Sequence, residues 1–336
     1  MMHLPFNDQL NSLNCLFSRL KPKGIDLNVN QLWQVVGSIL SPGRKSEEWG
    51  ICMMYLSSQN EPISTRVSEF IEVIRRRLSE CNTGKPNLDD SASSSRESAV
   101  LIPLTAIGSK RRNASHEMTI IMNKRSDRVR QPGDWCYPGG GVLSYDRILS
   151  KVIYYRQFLK KINYKKNRTL DYKINSKGAV FLAAAMREAW EEMRLNPFRL
   201  SYIGAIAPER LVLFDHLIHP LVVWTNPIQN FRPNWEVERI IQIPLAALLD
   251  KSRYGRFRPK FDSGGKPGPE FFPCFFLGED DPNEVLWGVS YRITMRFLKS
   301  AFGFEPPPVD RLPLIEKQLH ASYLRGSLWA RHTELD

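Results

Sequence analysis

Residues 187–192 read Arg187-Glu188-Ala189-Trp190-Glu191-Glu192, and the reading of the whole chain turns on this stretch. Glu188, Glu191 and Glu192 stand at i, i+3 and i+4, so on a helix they share one face. Like charges so placed repel, by roughly a few tenths of a kcal/mol per pair on an isolated helix. The cluster makes physical sense where a divalent cation neutralises it, and hard carboxylate oxygens with room for water and phosphate are what Mg²⁺ prefers. The plain alternative is a solvated acidic face with Arg187 as its counter-ion.

Outward from this stretch, the sequence predicts a helix over 178–194, with Ser176 as an N-cap candidate and Pro197 closing its exit. Upstream, Trp135-Cys136-Tyr137 leads into the sharp loop Pro138-Gly139-Gly140-Gly141, which suits close approach of backbone to a phosphate chain. Short β-prone runs at 99–104 and 118–122, separated by a polar turn, read as two strands, with further strands expected at 200–206, 219–224 and 239–243. A short helix is expected at 244–249 and a core-covering helix at 287–302, and residues 312–329 read as one more helix or a partly ordered tail.

Four regions follow. Residues 1–81 form a helical N-terminal region whose spacing at 30–40 and 64–78 is amphipathic, and the Ser/Asp-rich stretch 82–97 is a linker. Residues 98–303 are the main domain, carrying a basic insertion at 147–177, and 304–336 are a C-terminal tail. The 336 residues carry a net charge of +12, which favours anionic partners. Between Arg147 and Lys177 ten Lys/Arg stand against one acid, Asp171, so this segment holds most of that excess. Its interleaved aromatics allow nucleic-acid binding, but a solvated lid with its apolar face on the domain is the favoured reading.

The composition excludes wholesale disorder, and no stretch approaches the ~18 apolar residues of a membrane span. Five cysteines without a C-x-x-C spacing point to a reduced, cytoplasmic setting, and make a structural zinc site a poor fit. The oligomeric state is left open.

The glycine loop and the acidic helix together resemble the Nudix box, G-x5-E-x7-R-E-U-x-E-E-x-G-U. The match covers Gly140 and residues 187–195. About thirty extra residues separate its halves, Ala179 stands eight before Arg187 where the box has a glutamate, and Arg194 replaces the final glycine. Asp146 is the nearest acid in the loop. An αL residue at Arg194 is expected to cost on the order of 1 kcal/mol. Flanking segments, Lys124-Arg125-Ser126 with Gly133 and Cys136-Tyr137-Pro138-Gly139-Gly140, then Ile243-Pro244-Leu245 and Leu286-Trp287-Gly288, are similar to coenzyme A diphosphatase-type members.

That resemblance implies an α/β/α Nudix-like sandwich with a mixed β-sheet, here preceded by the N-terminal helical unit. It implies a Mg²⁺- or Mn²⁺-dependent diphosphatase acting on a small nucleotide. Coenzyme A or acyl-coenzyme A is the leading substrate, giving adenosine 3′,5′-bisphosphate and (acyl-)4′-phosphopantetheine. Another dinucleotide or nucleotide sugar is the alternative, and a non-catalytic nucleotide-binding module is a third reading.

By the same resemblance, Glu188, Glu191 and Glu192 are the metal ligands. Glu188, Arg187 and Glu192 are the catalytic group, with Glu188 as ligand or base and Arg187 orienting a glutamate. Gly139 and Gly140 shape the diphosphate site, and Arg125, Arg128 and Arg130 are candidate phosphate contacts. A general base outside the helix has three candidates, Glu236, Glu238 and Glu270. Trp135 and Tyr137 are read as core aromatics more readily than as stacking platforms for adenine.

Overall fold

The β-prone runs at the start of the main domain pair first with each other. In the computed structural model, β1 (Arg96–Gly108) and β2 (His116–Arg125) are antiparallel, with Leu104 opposite Ile120. The structure describes residues 63–82, 96–108, 116–152, 174–211, 216–225, 230–261, 271–277, 284–319 and 323. All of them lie in the larger of two compact units, Pro42–Asp336.

On the other side of β1 runs β7 (His216–Thr225), parallel to it, with Leu101 opposite Leu221. β5 (Leu200–Ala205) pairs antiparallel with β7, and β8 (Val237–Pro244) and β3 (Trp135–Cys136) pair antiparallel with β2. The short β4 (Gly139–Gly141) and β6 (Glu209–Leu211) add antiparallel pairs to β1 and β7. The parallel β1–β7 pair within an otherwise antiparallel ladder makes the sheet mixed.

Strand side chains alternate between two faces, and both faces here are apolar. Leu101, Ile121, Leu221 and Val223 enter one cluster, while Ile102, Leu104, Ile120, Met122 and Val222 enter the other. The first face is covered by α2 (Ser176–Met193) through Phe181, Leu182, Ala185, Met186 and Ala189. The second is covered by α1 (Ile63–Asn82), α3 (Leu245–Leu249) and α4 (Gly288–Phe302). The result is the expected α/β/α layering, and each large side chain buried in it contributes roughly 1.5–3 kcal/mol.

Helix α1 is the described part of the N-terminal region. Phe70, Ile74 and Leu78 share one stripe, are buried in the sheet's second core, and Phe70 packs on Phe302. Gly204 on β5 leaves room for Leu78, since a Cβ there would meet Leu78 Cδ1 at 3.0 Å. This helix therefore belongs to the core of the main domain. The helix expected at 30–40 lies outside the described residues.

Beyond α3 a second sheet forms, ordered β11 (Val285–Leu286), β10 (Phe272–Phe276), β9 (Tyr254–Phe261) and β12 (Leu314–Leu319). β12 corrects the helical reading of 312–329: Leu314–Leu319 runs parallel to β9, and Glu316 pairs with Arg258 at 3.3 Å and Lys260 at 2.7 Å. Of the rest of that tail, 320–322 and 324–336 lie outside the described residues.

Two smaller corrections concern ends. Asn175, not Ser176, caps α2, its side chain accepting the Gly178 N–H at 2.6 Å. Arg96 and Glu97, read as the end of the linker, already belong to β1, and 83–95 lie outside the described residues. So do residues 153–173 of the basic insertion, the lid reading of which falls mostly there. No described helix is long and apolar enough to cross a membrane.

Candidate functional site

The site forms where the glycine loop meets α2. Gly139 has φ +150°, and a Cβ on it would lie 2.2 Å from the Ala99 carbonyl oxygen, so only glycine lets the loop pair so closely with β1. A Cβ on Gly140 would lie 2.5 Å from Glu188 Oε1. The loop backbone and the acidic face of the helix are thus in direct contact, and the two halves of the motif meet despite the residues inserted between them.

Glu192 is the innermost carboxylate, 9% exposed. Its Oε2 accepts Asn123 Nδ2–H at 2.8 Å and the Gly139 N–H at 3.3 Å. Burial, with the charges of Glu188 and Glu236 added, pushes its pKa up to about 8. Glu188 is also raised by burial, against the lowering effect of Arg187, and Glu191 and Glu236 raise it further. Glu191 is half-exposed and faces Arg187 at 3.3 Å.

Arg187 is held from several sides. Its Nε donates to Asp146 Oδ1 at 3.0 Å, and one terminal nitrogen donates to Asp146 Oδ2 at 3.2 Å and to the Gly141 carbonyl at 3.0 Å. The other terminal nitrogen reaches Glu188 at 2.9 Å and Glu191. Asp146 is fully buried, accepts the Leu143 N–H at 2.8 Å, and stands six positions after Gly140. That is the spacing of the first acid in G-x5-E. The extra residues therefore enter after Asp146, and Ala179, buried in the first turn of α2, is not the counterpart of that acid.

The segment after residue 229 closes over the exit of α2. Arg232 N–H donates to the Met193 carbonyl at 3.0 Å and Asn234 N–H to the Glu192 carbonyl at 2.8 Å. Asn234 Oδ1 then accepts the Glu236 N–H at 2.9 Å, and the Glu236 carbonyl accepts the Ser126 N–H at 2.8 Å. These bonds place Glu236 where its charge acts on both Glu188 and Glu192. Glu238, in contrast, pairs with Lys124 at 3.0 Å, and Glu270 lies outside the described residues.

Of the three candidate arginines, Arg125 is half-buried, its charge favours ionised Glu192, and its Nε donates to the Arg130 carbonyl at 2.7 Å. Arg128 and Arg130 are exposed on the same loop. Trp135 and Tyr137 are core residues: Trp135 donates to Glu284 at 2.9 Å and the Tyr137 hydroxyl bonds Thr294 at 2.8 Å. Asn123 was not singled out from sequence. Its signal was a polar residue closing the apolar run Ile120-Ile121-Met122 on a strand with both faces buried.

Arg194 ends α2 with φ 58° and ψ 33°, its N–H donating to the Ala189 and Trp190 carbonyls. The left-handed position that the motif fills with glycine is thus filled by arginine here. Among the described residues no group of three His, Cys, Asp or Glu side chains converges closely enough to hold a metal ion by itself.

No family model matches the chain. An uncharacterized Nudix hydrolase, NudL, from Enterobacter sp. (strain 638) is 27% identical over 172 residues, covering 51% of this chain and 68% of that protein. The peroxisomal coenzyme A diphosphatase NUDT7 of Mus musculus is 24% identical over 242 residues, covering 70% of this chain and 82% of that one. The chain resembles the Nudix hydrolases. A solved Nudix hydrolase from Nitrosomonas europaea aligns over 67% of this chain and 80% of its own, at 13% identity and a TM-score of 0.31. In Nudix terms α2 is the helix of the box, Gly139–Gly141 the loop that leads into it, and Arg187 joins the two through Asp146.

Proposed function

We propose that this protein cleaves the diphosphate linkage of a nucleoside diphosphate derivative with Mg²⁺ or Mn²⁺, and that coenzyme A or an acyl-coenzyme A is its substrate. The products are adenosine 3′,5′-bisphosphate and (acyl-)4′-phosphopantetheine. The observation that carries the reaction is the contact of Glu188 and Glu192 with the glycine loop, with the charge of Glu236 acting on both. The substrate rests on the flanking segments and on the likeness to the mouse diphosphatase. The cysteine spacing supports a cytoplasmic setting.

The donor set fits a hard divalent cation. Buried Glu192 carries the acceptor load of two donors beside two further carboxylates, and Asn123 Oδ1 next to it has no hydrogen-bond partner among the described residues. Glu188, Glu191 and Glu192 would hold the ion, with water and diphosphate oxygens completing its shell. When bound, the ion supplies charge neutralisation for the diphosphate and acidifies a coordinated water.

The chain's own residues do the rest. Arg187, fixed by a bidentate contact, keeps Glu188 and Glu191 turned toward the loop. Glu236 is poised as the base, because its N–H is held by the Asn234 side chain, its carbonyl by the Ser126 N–H, and its charge acts on Glu188 and Glu192. Gly139 and Gly140 let the loop pack closely on β1 and on Glu188 and so shape the diphosphate site, and Arg125 adds positive charge near Glu192.

A substrate panel tests this reading. Coenzyme A, acetyl-coenzyme A, NADH, ADP-ribose and diadenosine polyphosphates are incubated with either metal, and products are identified by mass spectrometry beside Glu192→Gln. Metal-dependent cleavage of the coenzyme A compounds is expected. Cleavage of another compound alone would keep the reaction and discard the substrate, whereas nucleotide binding without turnover would leave a binding module.

A further inference from the structure

The face of α2 turned away from Glu188 and Glu192 borders a groove of 410 Å³, lined by Trp190, Arg194, Asn196, Arg199, Asn230 and Arg232. A helix advances about 100° per residue, so Trp190, two positions from both Glu188 and Glu192, points to the opposite flank. The groove is therefore distinct from the buried site around Glu188 and Glu192, although the same segment, residues 230–236, walls one and positions Glu236 in the other. Its volume is within the ~300–1,000 Å³ of small-molecule sites.

Its chemistry is specific. Among the described residues, three guanidinium groups line it and no acid does. Their backbone anchors are fixed: Arg194 by the left-handed cap of α2, Arg232 by its hydrogen bond to the Met193 carbonyl, and Arg199 within the 3-10 turn Pro197–Arg199. Arginine forks match phosphate oxygens bidentately. Trp190 leaves 43% of its surface exposed, with the Arg194 guanidinium 5.3 Å from its ring centroid. An exposed indole beside arginine planes is a stacking platform for a nucleobase.

We propose that this groove binds a nucleoside monophosphate, the base stacked on Trp190 and the phosphate held by the arginines, as a site separate from the hydrolytic centre. Neither half of the ligand suffices alone. Inorganic phosphate lacks the stacking surface and a free nucleoside lacks the charge.

Calorimetric titration of the full chain in EDTA tests it, with adenosine 5′-monophosphate, inorganic phosphate and adenosine as separate ligands. The monophosphate is expected to bind at least tenfold more tightly than either fragment. Trp190→Ala and Arg232→Ala are each expected to weaken it about tenfold while their thermal melting stays close to that of the parent. Glu192→Gln is expected to bind like the parent, which separates this site from the hydrolytic one whether or not the chain turns over any substrate. Equal binding of inorganic phosphate, unchanged affinity in both groove variants, loss of binding in Glu192→Gln or no binding at all would each overturn the proposal.

Discussion

Arg187 and Asp146 form a bidentate pair, 3.0 and 3.2 Å, across forty residues of sequence, with Asp146 wholly buried and Arg187 nearly so. The pair ties the segment after the glycine loop to the acidic helix, and it does so on the loop side of the basic insertion. Removing one partner of a buried pair strands the other charge, at about 3–5 kcal/mol. Asp146→Ala is expected to lose about 3 kcal/mol by urea denaturation, because Arg187 retains Glu188, Glu191 and the Gly141 carbonyl as partners. A loss under about 1 kcal/mol would show that the pair does not hold loop and helix together.

The two glycines should separate fold from chemistry. Gly139→Ala drives a Cβ into the Ala99 carbonyl at a φ that disfavours any side chain, so destabilisation of a few kcal/mol is expected. Gly140→Ala meets only the movable end of Glu188. It should melt near the parent while kcat drops at least tenfold. Normal kcat in a well-folded Gly140→Ala would remove Glu188 from the chemistry.

Glu192 gives a pH signature in the metal-free protein. Its folded pKa, about 8, lies above the usual value of 4.5, so its protonated form is favoured by folding. The sign follows: its favourable share is complete below about pH 4.5 and is lost as pH rises toward 8. In EDTA, Glu192→Gln should therefore stabilise the protein at pH 8, by on the order of a few kcal/mol, and change it little at pH 4.5. Urea midpoints at the two pH values decide, and a stabilisation that does not grow with pH would contradict the burial of this carboxylate.

Arg194 carries a conformational cost that a glycine would not. Arg194→Gly should stabilise the chain by about 1 kcal/mol, less whatever the contact with Trp190 contributes, about 0.5 kcal/mol for an exposed pair. Destabilisation by this substitution would mean that the arginine side chain matters more to the helix end than its backbone angle does.

The acidic helix was legible because a repeat of three and four leaves one geometric answer for Glu188, Glu191 and Glu192. The central strands were legible because runs such as Ile120-Ile121-Met122 have both faces to bury. Asn123 and the role of Asp146 were not, since each is defined by a partner distant in sequence, Glu192 and Arg187. Residues 314–319 misled because Leu314, Ile315 and Leu319 also fit helical spacing, and only the ladder with β9 settles the period. Asn175 and Ser176 are both good caps one residue apart, which propensity cannot rank. The nearness of Glu236 to Glu188 and Glu192 was not legible either, since it depends on the hydrogen bonds that dock the segment around Asn234 on α2.

The most direct measurement is the mass spectrum of coenzyme A incubated with the full chain and Mn²⁺, beside the same reaction in EDTA and with Glu191→Gln/Glu192→Gln. The account predicts adenosine 3′,5′-bisphosphate and 4′-phosphopantetheine in the first reaction and intact coenzyme A in the other two. Intact coenzyme A in all three, or products that persist in EDTA or in the double variant, would contradict it.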